Sequence, residues 1–345
     1  MSAMWAATAC HSGSRPATCS GPMRISPSSL PTSPRSAFRG RGRDGNDAFA
    51  CVPGTGRVRE AAAFVLLTFA LSWGVWGLAI LTGSEAAVLR IAGTFGPTLA
   101  ALILAAAAGR AGLRNLLGGF TRLRAPVWVW AFALGATAVV GILALWVDAT
   151  LGGAPDWPGG RALLIAPVVF LWVLLFSVAG EETGWRGYLL PRLLERTGPV
   201  RASLALGLVW ALWHLPLWVM PGDFHAAIPV LLFAIQILAV SILYTWLWLE
   251  SGGSLIVAHV FHAASNTTLG LLPLIPGEGA ADLRPLWVAV ALLAVLAAGA
   301  ARVMARRAYC LRSDARASAI KPSPESAEAA ATRGQRPGRI ENRNR

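Results

Sequence analysis

Long apolar runs alternate with short polar connections along most of this chain. Eight runs, at roughly 61–82, 91–108, 127–147, 162–180, 202–220, 226–248, 254–272 and 285–304, approach or meet the ~20 residues that a helix needs to cross a hydrocarbon core of ~30 Å. The pattern predicts an all-α, polytopic membrane protein with about eight transmembrane helices, held in a helical domain over 57–308 with its chemistry concentrated at about 160–272. Gly96-Pro97 and Pro167 fall where membrane helices kink, which neighbouring helices can accommodate. The flanks differ in kind. Residues 1–56 are basic and rich in Ser, Pro and Arg, and 309–345 are equally without periodicity, so both are expected to be disordered. The first segment has no continuous apolar stretch of the kind a secretory signal needs.

Composition agrees with that pattern. Of 345 residues, 55% are hydrophobic and only 14% charged, with 15 Trp against 3 Tyr, far from an ordinary soluble domain. The net charge of +13 does not point to nucleic acid, because the arginines cluster between apolar runs without an interleaved aromatic patch. They act instead as topology signals. Arg57, Arg59, Arg110, Arg114, Arg192 and Arg306 mark one set of flanks and connections, while Glu85, Asp148, Asp156, Asp223 and Glu278 mark the alternate set. Positive residues stay in the cytoplasm, so both termini are expected there, with the protein in the plasma membrane. Cys10, Cys19, Cys51 and Cys310 show neither metal nor disulfide spacing.

Against this background a few polar residues stand out. Glu181, Glu182 and Arg186 end the fourth run, His214 lies in the fifth, and His262 and Asn266 lie in the seventh. Ionisable groups in hydrocarbon are costly and usually mark a site. Residues four apart share a helix face, so Glu182 can pair with Arg186 while Glu181 points elsewhere and remains available for reaction. Trp185, four from Glu181, is placed to wall that carboxylate from water, and Gly184 and Gly187 would admit a neighbouring helix. Trp210 and His214 share a face, as do His262 and Asn266. A rise of ~1.5 Å per residue puts Glu181 near the cytoplasmic end and His262 ~12 Å deep, which predicts a cavity facing the cytoplasm or inner leaflet.

The residue types suit amide hydrolysis by two routes. In one, Glu181 and His214 activate a water while His262 and Asn266 donate to the oxyanion. In the other, Glu181, His214 and His262 hold a Zn²⁺ ion with water in the fourth position. The sequence leaves both open, and no cofactor is required by the first. Each residue also has a plainer explanation: a Glu-Arg pair at a helix end often serves only topology, and a lone membrane His is more often a packing residue. His225 reads as a loop residue, His11 as part of the flank, and His259 as accessory. Conjunction favours a site.

These residues resemble the CPBP family of intramembrane endopeptidases, which includes CAAX prenyl proteases of the second type and Abi or bacteriocin-processing proteins. The resemblance rests on E-E-x-x-x-R at Glu181, Glu182 and Arg186, aromatic-x-x-x-His at Trp210 and His214, and H-x-x-x-N at His262 and Asn266. The family's second motif often begins with Phe, where this chain has Trp210. The resemblance implies a peptidase acting on a membrane-associated or prenylated peptide or protein, with Glu181 and His214 activating water, His262 and Asn266 holding the oxyanion, and Glu182 and Arg186 in support. A catalytically silent scaffold or immunity protein of the same fold is the main alternative, and a transporter a more distant one.

Overall fold

The computed structural model describes residues 55–176, 178–275 and 282–320, with 55–57 and 309–320 described as backbone only. The expectations for residues 1–54 and 321–345 lie outside the described residues. Among the described residues 84% are helical and none is in a strand, as expected of a chain that must satisfy every backbone group without water.

The helices follow in order. α1 spans Thr55–Leu81, α2 Ala87–Thr94 and α3 Gly96–Ala107. A short α4, Gly109–Leu117, leads to α5, Val127–Thr150, and α6, Gly160–Phe176. After a π-helical segment, Thr183–Leu189, come α7, Leu190–Thr197, and α8, Pro199–Trp213. α9 covers Val230–Glu250, α10 Leu255–Leu271 and α11 Arg284–Ile320.

Seven stretches are long and apolar enough to cross a membrane, with α2 and α3 counting together as one. Helix α10 has 17 residues and is not among the seven, yet it lies against α5, α6 and α9 and buries ten of its side chains. Neighbours supply the shielding that its own length and polarity do not. The protein is an all-α polytopic membrane protein, and among the described residues each of the eight predicted runs contains a helix. The differences are local. The second run breaks at Phe95, just before Gly96-Pro97, whereas α6 passes through Pro167 without interruption. Helix α11 continues to Ile320, past the predicted end of its run and into the stretch expected as a tail.

Small residues bring the helices together. A Cβ on Gly93 would meet the Trp76 ring, and one on Gly207 would touch Ser241, so α1 packs closely on α2, and α8 on α9. Ser241 Oγ donates to the Ser203 carbonyl at 2.8 Å, adding a polar tie inside the bundle. The turn from α9 into α10 requires Gly252 and Gly253, at φ +65° and +86°, which side-chain-bearing residues rarely adopt. Ser254 then caps α10 by accepting from the Val257 N–H. That turn sets where His262 and Asn266 fall.

Candidate active site

The fourth run does not stay α-helical through its chemical end. A 3₁₀ turn at Val178–Gly180 is followed by the π-helical segment, a form that often occurs at functional positions. Two contacts explain the change of path. A Cβ at Gly180 would lie 2.5 Å from the Thr94 carbonyl oxygen, and one at Gly184 would lie 2.5 Å from that of Pro97. The chain therefore lies directly on the backbone where α2 ends and α3 begins. Thr98 Oγ1 donates to the Ala179 carbonyl at 2.9 Å, satisfying a group that the broken helix leaves open.

Glu181 and Glu182 diverge, as predicted. Glu182 is fully buried and its Oε1 accepts from Arg186 Nη1 at 2.7 Å and from the His262 ring at 2.8 Å. The Arg186 guanidinium lies between two aromatic faces, 4.3 Å from the Trp210 ring centre and 3.7 Å from that of Tyr244. Glu182 thus joins the first motif to the third, a link that spacing along separate helices did not show. Glu181 Oε2 instead accepts from Trp210 Nε1 at 2.8 Å.

The ring nitrogens can be assigned from their partners. A carbonyl only accepts, so His214 Nδ1, 2.7 Å from the Trp210 carbonyl, carries its proton there. By the same reasoning His262 Nδ1–H donates to Glu182. In both rings Nε2 is left for other chemistry. Trp210 stands between them, its ring centre 5.7 Å from that of His214 and 5.5 Å from that of His262.

Glu181, Trp210, His214, His262 and Asn266 line one cavity of about 560 Å³. Glu182 and Arg186 are not in its lining and lie buried behind it. Trp185 is also absent from the lining. It packs edge-on against Phe64 and Trp213, because a π-helical turn rotates successive residues less than the α-helical spacing behind the prediction. Trp210 makes the contact with Glu181 that Trp185 was expected to make. His259 donates to the Leu255 carbonyl and tilts against Phe120, in keeping with a packing role.

One lining residue was read from sequence as an ordinary loop residue. His225 is buried, 2.6 Å from Asp223 Oδ1, with its ring 5.7 Å from that of His214. The D-x-H spacing within a loop is too common to have marked it. Asp223 lies outside the spans. Burial pushes its carboxyl up, but hydrogen bonds from the His225 ring and backbone, with Arg90 nearby, outweigh this and hold it below the usual carboxylate range.

Tyr244 also lines the cavity, while Glu182, Arg186 and Phe261 are buried outside the lining, each at most 1% exposed. The lining extends to Arg90, Asp223, Phe224, His225 and Ile275.

The zinc alternative can be tested against the same geometry. Among the described residues no three His, Cys, Asp or Glu side chains come together as a metal-binding group. Glu181, His214 and His262 share a cavity without forming such a set.

These helices and this pocket define a polytopic membrane protein with a buried cluster of carboxylates, imidazoles and an amide. Residues 163–268 match the family of type II CAAX prenyl endopeptidases described as Rce1-like. The chain is 37% identical over 112 residues to CAAX prenyl protease 2 of Methanococcus maripaludis, covering 31% of this chain and 41% of that protein. Over this stretch the chain is similar to the CPBP/CAAX protease family. The match spans about two fifths of the relative's length.

Proposed function

We propose that the protein is an intramembrane endopeptidase that hydrolyses a peptide bond in a membrane-associated peptide or protein. The observation that carries this is Glu181, His214, His262 and Asn266 lining a single cavity, with Glu181 and both imidazoles held by identified partners.

The reaction follows from the donors and acceptors. Glu181 is anchored through Oε2, which leaves Oε1 to hold a water. With its proton on Nδ1, His214 presents a bare Nε2 that can take the proton as the water attacks the carbonyl carbon. The oxygen of that carbonyl then becomes an oxyanion and needs donors. Asn266 offers its amide N–H. His262, its ring oriented by the Nδ1 contact with Glu182, lines the cavity together with Asn266. Collapse of the tetrahedral intermediate expels the amine, which takes the proton held at His214. Glu182 and Arg186 position these groups from behind the cavity lining, and Trp210 holds Glu181 from within it.

No step in this route passes through a metal. The supporting relative is a CAAX prenyl protease by name, which makes a lipidated or strongly apolar peptide a reasonable first substrate class. The deciding experiment incubates purified parent, Glu181→Gln and His214→Ala proteins in detergent with a panel of such peptides and reads products by mass spectrometry. Both variants should fold and lose turnover by at least ~100-fold, the scale of general acid–base and oxyanion effects. Parent-like turnover in both would remove the hydrolytic reading and leave a scaffold of the same fold.

A further inference from the structure

Four rings follow one another along the wall of the cavity. The centres of His262 and Trp210 lie 5.5 Å apart, those of Trp210 and His214 5.7 Å, and those of His214 and His225 again 5.7 Å. The first three serve the reaction proposed above. His225 has no part in it, although it lines the same cavity and is 6% exposed.

The His225 ring is clamped on its Nδ1 side. Asp223 Oδ1 accepts from the backbone N–H of His225 at 3.0 Å and from its ring at 2.6 Å. A carboxylate only accepts, so Nδ1 carries a proton, and in the neutral ring Nε2 is a bare acceptor. Among the described residues no group hydrogen-bonds that nitrogen. Arg90 Nε lies 3.8 Å from Asp223 Oδ2 and balances the carboxylate without a charge on the imidazole. Phe233 stands edge-on to both His214 and His225, at 5.0 and 5.1 Å, which fixes the two imidazoles relative to each other. Trp218, whose Nε1 donates to the Ile228 carbonyl, covers His225 at 5.1 Å.

The hydrolytic reaction gives this wall a direction. The carbonyl oxygen lies toward Asn266 and the leaving amine takes its proton at His214, so the departing fragment runs on from His214 toward His225. An extended residue spans ~3.3–3.6 Å, and a ring 5.7 Å further along meets the chain one to two residues past the leaving nitrogen. We infer that His225 Nε2 accepts a backbone N–H of the departing fragment at one of those two residues, which makes His225 a substrate-binding residue held in place by Asp223. The inference rests on the endopeptidase reading and deepens it. The substrate is then a peptide that continues in extended form for at least two residues beyond the bond that is cut.

The test removes the N–H from the substrate and the acceptor from the protein. A peptide that the parent cleaves is remade with the first or the second amide beyond the cleaved bond replaced by an ester, which deletes one N–H and keeps the length and side chains. In the parent, kcat/KM should fall roughly 2- to 12-fold for one of the two esters, the scale of a single hydrogen bond. His225→Phe, which suits the surrounding aromatic rings, and His225→Ala should each cleave ester and amide forms at equal rates. Two replacements guard against one of them failing to fold. A parent indifferent to both esters, or a folded variant as selective as the parent, overturns the inference. A parent inert toward every all-amide peptide removes the endopeptidase reading itself, a result distinct from cleavage without selectivity.

Discussion

Arg186 carries the heaviest structural demand in the site, and replacing it gives the most direct measure of the buried network. Arg186 and Glu182 are 1% and 0% exposed, and their contact is a single 2.7 Å bond rather than a bidentate pair. Neither Arg186 Nη2 nor Glu182 Oε2 finds a partner. Replacement by Met keeps the volume and strands the Glu182 charge on the His262 N–H alone. Breaking a buried pair in this way costs ~3–5 kcal/mol, and the single bond places the expectation near the lower part of that range. For a domain of this size each kcal/mol moves Tm by ~2–4 °C, so Arg186→Met should melt roughly 6–16 °C below the parent in detergent. The double variant Glu182→Gln/Arg186→Met removes both charges and keeps an acceptor for His262, so it should recover most of the loss. A coupling of ~2–3 kcal/mol would appear in the cycle, at the upper end of measured pairs. A loss below ~2 °C in the single variant, or a double variant as unstable as the summed singles, would refute the argument.

Other outcomes follow from the same contacts. Trp210→Phe removes the N–H that holds Glu181 Oε2; a hydrogen bond to a charged group is worth ~1.5–3 kcal/mol, so kcat should fall roughly 10- to 150-fold with little change in KM, and an unchanged kcat would show that Glu181 is positioned otherwise. Gly184→Ala drives a methyl to 2.5 Å from the Pro97 carbonyl oxygen, which cannot yield like a side chain; a loss of ~1–3 kcal/mol is expected, and a neutral thermal melt would contradict the close approach. Asp223 has a folded pKa below its unfolded value, so its contribution is complete above the unfolded value of ~3.9 and disappears as pH falls through the folded one. The parent should therefore lose Tm below about pH 4 more steeply than Asp223→Asn, and superimposable pH–Tm curves would remove the Asp223–His225 contact as a source of stability.

Much of this protein follows from local rules. Apolar runs long enough to span a bilayer must be helical because lipid offers the backbone no partner, and that requirement holds for each run separately. The eight helices and the Glu182–Arg186 pairing were therefore legible along the chain. Two things depended on packing between elements. Gly180 and Gly184 lie on the backbone where α2 ends and α3 begins, and the chain there becomes π-helical, which moves Trp185 away from Glu181 and leaves that contact to Trp210. The Glu182–His262 bond and the place of His225 beside His214 join residues remote in sequence, and spacing within a segment carries no information about them. The cavity belongs to the same category, because Arg90, Glu181, His214 and Asn266 reach its lining from separate elements, and only the packing of those elements against one another brings them to a shared space.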